Sequence, residues 1–386
     1  MTRTLFVSFG TRPEAIKMAP LVQELHRREH FHVITCLTGQ HREMLDQVVE
    51  TFGLPVDYDL DVMRRTQSLT HITSAVLQGL EPLLVEQGAD MVLVHGDTTT
   101  TFATALAAFY HQIPVAHVEA GLRTDTLYNP YPEEANRRLT DRLAELLFAP
   151  TPAARESLLS EGSPEEGVLV TGNTVIDALM ATAGKDPPHW EPQIKEALSR
   201  SGKKILVTVH RRESWGVPMQ SIARAIRETC ERHEDVTFIF PIHLNPVVRE
   251  TFRGILGGLR GVVFTDPLSY RPFVHLMKTV DLVITDSGGI QEEAPTLGKP
   301  VLVMRDTTER PEGIDAGTAR LVGTDTRAIT AALSELLTDQ NAYARMANAV
   351  NPYGDGKASA RIADQLEYFF GYRQEPGRAF SPSAKM

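Results

Sequence analysis

The stretch that decides the fold is TDSGGIQEEAPTLGKP, residues 285–300, which follows the apolar run LVITD, residues 282–286. A Val/Ile/Leu run that stops at two glycines and passes into a helical pattern is a strand, a tight turn and a helix. Backbone N–H groups at such a helix start have no intrahelical partner and sit at the positive end of the helix dipole. Ser287, Gly288 and Gly289 therefore read as amide donors for a diphosphate. Glu293 falls about one turn further in, where an acceptor-only carboxylate suits the paired hydroxyls of a ribose. The competing reading is plainer: a turn made by Gly288-Gly289, followed by first-turn acids that the helix dipole favours.

Working outward, the same strand-then-helix step recurs along the chain. LFVSF, HVITCL, MVLVH, PVAHV and LLFAP occupy the first half, and KILVTVH, VTFIF, GVVFTD, LVITD and PVLVM the second. Continuous rather than alternating apolar runs indicate parallel strands covered on both faces, so the class is α/β. The rhythm pauses over the Pro- and charge-rich residues 182–204. This predicts two Rossmann-like domains with parallel sheets facing a central cleft, 1–171 and 172–358, with a helix over about 359–372 packing back on the first and 373–386 as a loose tail.

Composition narrows the class further. The chain of 386 residues has a formal net charge of −10, which disfavours nonspecific binding to nucleic acid or acidic membranes. Its two cysteines, Cys36 and Cys230, have no ligand spacing and suit a reducing compartment, and no run of about 18 or more apolar residues occurs. The expectation is a cytoplasmic enzyme, with no metal and no cofactor.

In open α/β sheets ligands bind beyond the carboxyl ends of the strands, and here those ends are rich in charge. FGTRPEAIK supplies Arg12 and Lys17 as partners for phosphate, and HGDTTTT places Asp97 past its strand. His95 and Asp97 have no third partner at a metal spacing. HVEAGLRT and PYPEEANRR add Glu119, Glu133 and Arg137, with Glu133 and Arg137 spaced as an i,i+4 ion pair; HRRES adds His210. Neither the dinucleotide G-x-G-x-x-G after the first strand nor a P-loop is present, so a sugar nucleotide fits best.

GTRPEAIKMAP, HGDTTTT, HVEAGLRT, PEEANR, HRRES, TDSGGIQEEAP, RDTTERPE and NPYGDG together resemble the signature runs of the bacterial non-hydrolysing UDP-N-acetylglucosamine 2-epimerases, in order from Phe9 to about Gly356. The resemblance implies a two-domain fold of the glycosyltransferase GT-B type and interconversion of UDP-GlcNAc and UDP-ManNAc, by loss of UDP to 2-acetamidoglucal and its re-addition, for cell-surface polysaccharide precursors. By matching motif, Asp97, Glu119, Glu133 and His210 would be catalytic, with the identity of the C2 base left open. Arg12, Lys17 and Arg137 would assist the substrate. Ser287, Gly288, Gly289 and Glu293 would hold UDP, and Phe273 would pack on the uracil. The resemblance also implies a homodimer and a second UDP-GlcNAc as activator, touching Gln40, His41, Arg65 and His243. A hydrolysing epimerase and a GT-B glycosyltransferase are the alternatives.

Overall fold

A computed structural model of the chain describes residues 2–39, 42–62, 68–124 and 126–382. Gln40, His41 and Arg65, the expected activator contacts, lie outside the described residues. The chain divides into two compact units, one of residues 1–181 with 353–381 and one of residues 182–352.

The first unit is built on β1 (Arg3–Phe9), β2 (Phe31–Leu37), β3 (Tyr58–Asp59), β4 (Met91–His95), β5 (Val115–Val118), β6 (Leu146–Ala149) and β7 (Val168–Val170). These pair in the order β3-β2-β1-β4-β5-β6-β7, all parallel. Consecutive residues Leu5, Phe6 and Val7 of β1 are all fully buried, as a strand sandwiched between helix layers requires. On one face Phe6, Ile34, Val92 and Val94 pack with helix residues Val76, Leu80 and Ala103.

The second unit repeats the plan with β8 (Lys204–Thr208), β9 (Thr237–Pro241), β10 (Val262–Thr265), β11 (Leu282–Thr285), β12 (Val301–Val303) and β13 (Ala319–Leu321). Their order, β10-β9-β8-β11-β12-β13, is again parallel throughout. Ile205, Val207, Phe238, Phe240 and Ile284 meet Ile222, Ile226, Val248 and Phe252 in its core. Counted within each unit, both sheets follow the doubly wound order 3-2-1-4-5-6, which reverses direction between the first and fourth strands. Among the described residues no helix is long and apolar enough to cross a membrane.

Two boundaries differ from the sequence expectation. The first unit runs on through Ala181 rather than stopping at 171, because Val175 and Ile176 of the helix Thr174–Ala183 pack on Tyr353 and the Asn173 N–H donates to the Tyr353 carbonyl at 2.7 Å. The segment after 372 is not loose as far as Phe380. The Phe380 N–H donates to the Val170 carbonyl at 2.7 Å, its ring is buried, and the Arg361 guanidinium lies 5.3 Å from the ring centroid. Apolar anchors this sparse, set among Pro, Gly and Ser, leave little trace in composition.

The helix Ala358–Phe369 docks on the first unit through Arg28, which donates to Asp364 at 2.9 Å and Glu367 at 3.0 Å, and through the stacked rings of His30 and Tyr372. Lys357 at its N-cap supplies no side-chain cap. Asp177, from the helix Thr174–Ala183, does so instead, accepting from the Ala358 and Ser359 N–H groups at 3.1 and 2.8 Å. Asp177→Ala is expected to lower unfolding free energy in urea by about 0.5–2 kcal/mol, the range for a lost cap. An unchanged midpoint would show that the helix ends without this help.

Candidate functional site

At the reversal point of the first sheet, β1 and β4 are neighbours whose following loops diverge. Glu14, only 3% exposed, joins those loops. Its Oε2 accepts from the Gly10 and Thr11 N–H groups at 3.0 and 2.7 Å, and its Oε1 from the Thr98 hydroxyl at 2.7 Å. The Thr101 hydroxyl, 3.0 Å from the same oxygen, is shared with the His95 carbonyl at 2.6 Å. The sequence shows why this loop is tight: a Cβ at Gly10 would sit 2.0 Å from Thr38 Oγ1, so only glycine fits. Glu14 is thereby committed to structure. Arg12 and Lys17 ride on the helix it caps, Arg12–His26.

Lys17 reaches Glu119, its Nζ lying 2.7 and 2.6 Å from the two carboxylate oxygens. Asn173 Nδ2 adds a third contact at 3.1 Å, and His95 Nε2 lies 3.0 Å from Oε2. Glu119 has φ 66°, a left-handed conformation that costs a non-glycine residue roughly 1–3 kcal/mol and persists only where its surroundings impose it. The turn out of β5 thus aims this carboxylate at a cation and two polar side chains. Asp97 is fixed separately. Arg137 Nη2 donates to its Oδ2 at 2.5 Å, and Asn136 Nδ2 to its carbonyl at 2.9 Å.

Arg137 does not pair with Glu133, contrary to the i,i+4 expectation. It binds Asp97 and, at 3.2 Å, the fully buried Glu134, because the helix start Glu133–Leu143 lies over the Asp97 turn. Glu133 Oε2 is buried without a hydrogen-bond partner among the described residues. The first unit therefore brings Lys17, Asp97, Glu119 and Arg137 into two ion pairs, with Glu133 on the helix that supplies Arg137 and Arg12 half-buried at the start of the helix that supplies Lys17.

The second unit has the same device. Asp286, fully buried after β11, accepts from the His210 N–H at 3.0 Å, the Arg211 N–H at 2.9 Å and the Ser214 hydroxyl at 3.3 Å, all from the loop after β8. His210 stacks on His243, ring centroids 5.9 Å apart. Partial burial, helped by His243 and Arg211, holds the His210 imidazole below its ordinary range although Asp286 pulls the other way. Neutral imidazole is thus favoured as pH rises to 7.

Ser287 is the N-cap of the helix Gly288–Thr296, and its hydroxyl makes no cap bond to the first turn. An added Cβ at Gly288 would lie 3.6 Å from Arg211 Nη2, so a guanidinium stands beside the helix start. The two glutamates part company. Glu292 is tied to Arg310 as a buried ion pair, while Glu293 accepts from Tyr270 Oη at 3.1 Å. Tyr270 begins the helix Tyr270–Thr279, and Phe273 follows three positions later, half-buried on the same side of that helix. Asn173, Tyr270 and Asp286 were missed by sequence reasoning, since each is identified only by partners far along the chain; Glu14 was missed too, although Thr11-x-x-Glu14 is a local capping-box pattern. Among the described residues no three His, Cys, Asp or Glu side chains converge as a metal site requires.

Arg211 also pairs with Glu309 at 3.1 Å, and Arg305, itself paired with Glu213, donates to Glu309 at 2.7 Å. Burial raises the Glu309 pKa, but the Arg305 hydrogen bond and the charge of Arg211 outweigh it and bring it down from 4.5 to about 2. A carboxylate with a depressed folded-state pKa contributes stability that is full above 4.5 and lost as pH falls toward 2. With Glu309 one-third exposed, Glu309→Gln is expected to cost about 1–2 kcal/mol at pH 7 after solvent screening. The gap should close in urea titrations as pH approaches 2; a pH-independent gap would show that packing, not charge, is lost.

Comparison with known proteins identifies the family. The family profile described as UDP-N-acetylglucosamine 2-epimerase matches residues 23–367. A UDP-N-acetylglucosamine 2-epimerase of Salmonella typhimurium is 54% identical over 366 residues, spanning 94% of this chain and 97% of that protein. Among solved structures, the UDP-GlcNAc 2-epimerase of Neisseria meningitidis bound to UDP-GlcNAc is 48% identical with a TM-score of 0.85, over 95% of this chain and all of that one. The S. aureus MnaA–UDP co-structure is 46% identical with a TM-score of 0.88, over 98% and 100% of the two chains. A glycotransferase of kitacinnamycin, 14% identical with a TM-score of 0.64 over 95% and 99%, shares the two-sheet α/β fold alone. Matched by the profile over most of its length and by relatives at about half identity, the chain belongs to the UDP-N-acetylglucosamine 2-epimerase family.

Proposed function

We propose that the chain is a non-hydrolysing epimerase that interconverts UDP-GlcNAc and UDP-ManNAc, supplying a precursor for cell-surface polysaccharide. The observation that carries this reading is the set of carboxylates Asp97 and Glu119, at strand ends and each held by a cation, with Glu133 at the start of the helix that supplies Arg137. A nucleotide sugar is favoured by the helix start at Gly288 and Gly289, with the Ser287 hydroxyl beside it although the Ser287 N–H is taken up by Thr285 Oγ1 at 2.9 Å, and by the Glu293 carboxylate one turn on. The Neisseria relative, solved with UDP-GlcNAc, supports the same substrate.

The chemistry explains why acids and cations are both needed. The C2 proton of the hexosamine has no adjacent carbonyl, so direct deprotonation leaves the charge unstabilised. When the C1–O bond to UDP breaks, the ring gains oxocarbenium character and C2–H becomes acidic. A carboxylate takes that proton, giving 2-acetamidoglucal and UDP. A carboxylic acid on the other face then returns a proton to C2 as the UDP oxygen re-forms its bond to C1, inverting C2 with no net change in atoms. Arg12, Lys17, Arg137 and His210 are suited to stabilising the departing diphosphate, and Phe273 to packing on the base.

Incubation with UDP-GlcNAc in D2O tests this directly. Deuterium should enter C2 and UDP-ManNAc should accumulate without an acceptor and without free ManNAc. Free ManNAc would mark a hydrolysing epimerase, and no exchange at C2 would leave a glycosyltransferase. In the same assay Asp97→Asn, Glu119→Gln and Glu133→Gln should each lower turnover about 100-fold or more with UDP affinity kept, whereas Glu293→Ala should weaken UDP binding. Wild-type turnover in all three acid variants would remove the assignment.

The chain is further proposed to act as a homodimer and to take a second UDP-GlcNAc as activator near His243. Initial rates with UDP-ManNAc should then rise on adding UDP-GlcNAc, and a strictly unstimulated, hyperbolic response would reject activation.

A further inference from the structure

His117, in the middle of β5, is fully buried and has no part in the chemistry above. Both ring nitrogens are nevertheless engaged. Nδ1 lies 2.6 Å from Asp141 Oδ1 and Nε2 2.8 Å from the Gly96 carbonyl oxygen. A backbone carbonyl only accepts, so Nε2 carries a proton whatever the charge on the ring. Asp141 is anchored in turn by Arg123 Nη2 at 2.7 Å, and Arg123 by Glu161 at 2.8 Å. Although burial works against it, the neighbouring His117 and Arg123 keep Asp141 ionised.

Gly96 is the residue through which this chain of contacts would be felt. It has φ 71°, and its N–H donates to the Val118 carbonyl at 2.9 Å. The Gly96 unit is therefore laced to β5 at both its N–H and its C=O. It joins His95, which lies 3.0 Å from Glu119, to Asp97, which Arg137 grips, and a Cβ on it would stand 3.8 Å from Glu119 Oε2. One turn of backbone thus sets the aim of two proposed acids.

We propose that His117 is a positioning residue whose Nε2–H holds the Gly96 carbonyl and so fixes Asp97 and Glu119 relative to each other. Its effect on turnover rests on the epimerase reading; the hydrogen bond itself does not. Displacing a reacting group by about 1 Å can cost on the order of 100-fold in rate, so a bond behind the site is sufficient to matter.

Two isosteres separate this role from simple support of Asp141. Glutamine can offer an N–H where Nε2 stood, and asparagine one where Nδ1 stood. His117→Gln is expected to keep kcat within about 5-fold of wild type, while His117→Asn, which leaves the Gly96 carbonyl unpaired, should lower it about 10- to 100-fold with UDP affinity unchanged. The reverse ranking, or equal kcat in both, would overturn the proposal. Should neither variant fold, 15N-imidazole NMR of the wild-type chain decides: a directly bonded proton on His117 Nε2 is expected, and an unprotonated Nε2 would refute it. Absence of C2 exchange in the wild type would sink the epimerase reading instead, leaving that NMR result to stand or fall alone.

Discussion

A parallel sheet whose strand order reverses leaves two loops diverging from adjacent strand ends, whose polar groups must be tied together. Each unit meets this constraint with one buried carboxylate. Glu14 collects donors from the loops after β1 and β4, and Asp286, placed after β11, collects them from the loop after β8. Hydrogen bonds to a charged acceptor are worth about 1.5–3 kcal/mol each, and an orphaned buried N–H costs a similar amount. Asp97 and His210, proposed to act on substrate, stand on loops held in this way.

That arrangement separates support from chemistry within short motifs. In GTRPEAIK the glutamate is structural while Lys17 reaches out to Glu119. In TDSGGIQEEAP, Asp286 accepts from backbone amides, Glu292 pairs with Arg310, and Glu293 accepts from Tyr270.

The fold was legible because continuous apolar runs such as LFVSF and MVLVH can be buried on both faces only in a parallel, covered sheet. The candidate residues were legible because charge at a strand end serves no core. What could not be read were roles set by distant partners. Asn173 meets Glu119 across 54 residues, and Tyr270 meets Glu293 across 23. The Glu133–Arg137 pair failed for a related reason: helical spacing allows a pair, but a buried acid and a turn from another strand offered Arg137 better partners. The extension of the first unit to Ala181 depends on a tyrosine at 353 that no local pattern ties to it.

The return of residues 353–381 to the first unit makes the second unit an insertion within the first. On a ribosome, the segment 182–352 is released whole and can close its own core while its host still lacks the helix that Asp177 caps. Most two-domain chains acquire their folds from the amino end onward. Here the inner body can finish before the outer one, and the nascent polypeptide stays incomplete at Arg28 and His30 until Asp364, Glu367 and Tyr372 have been made.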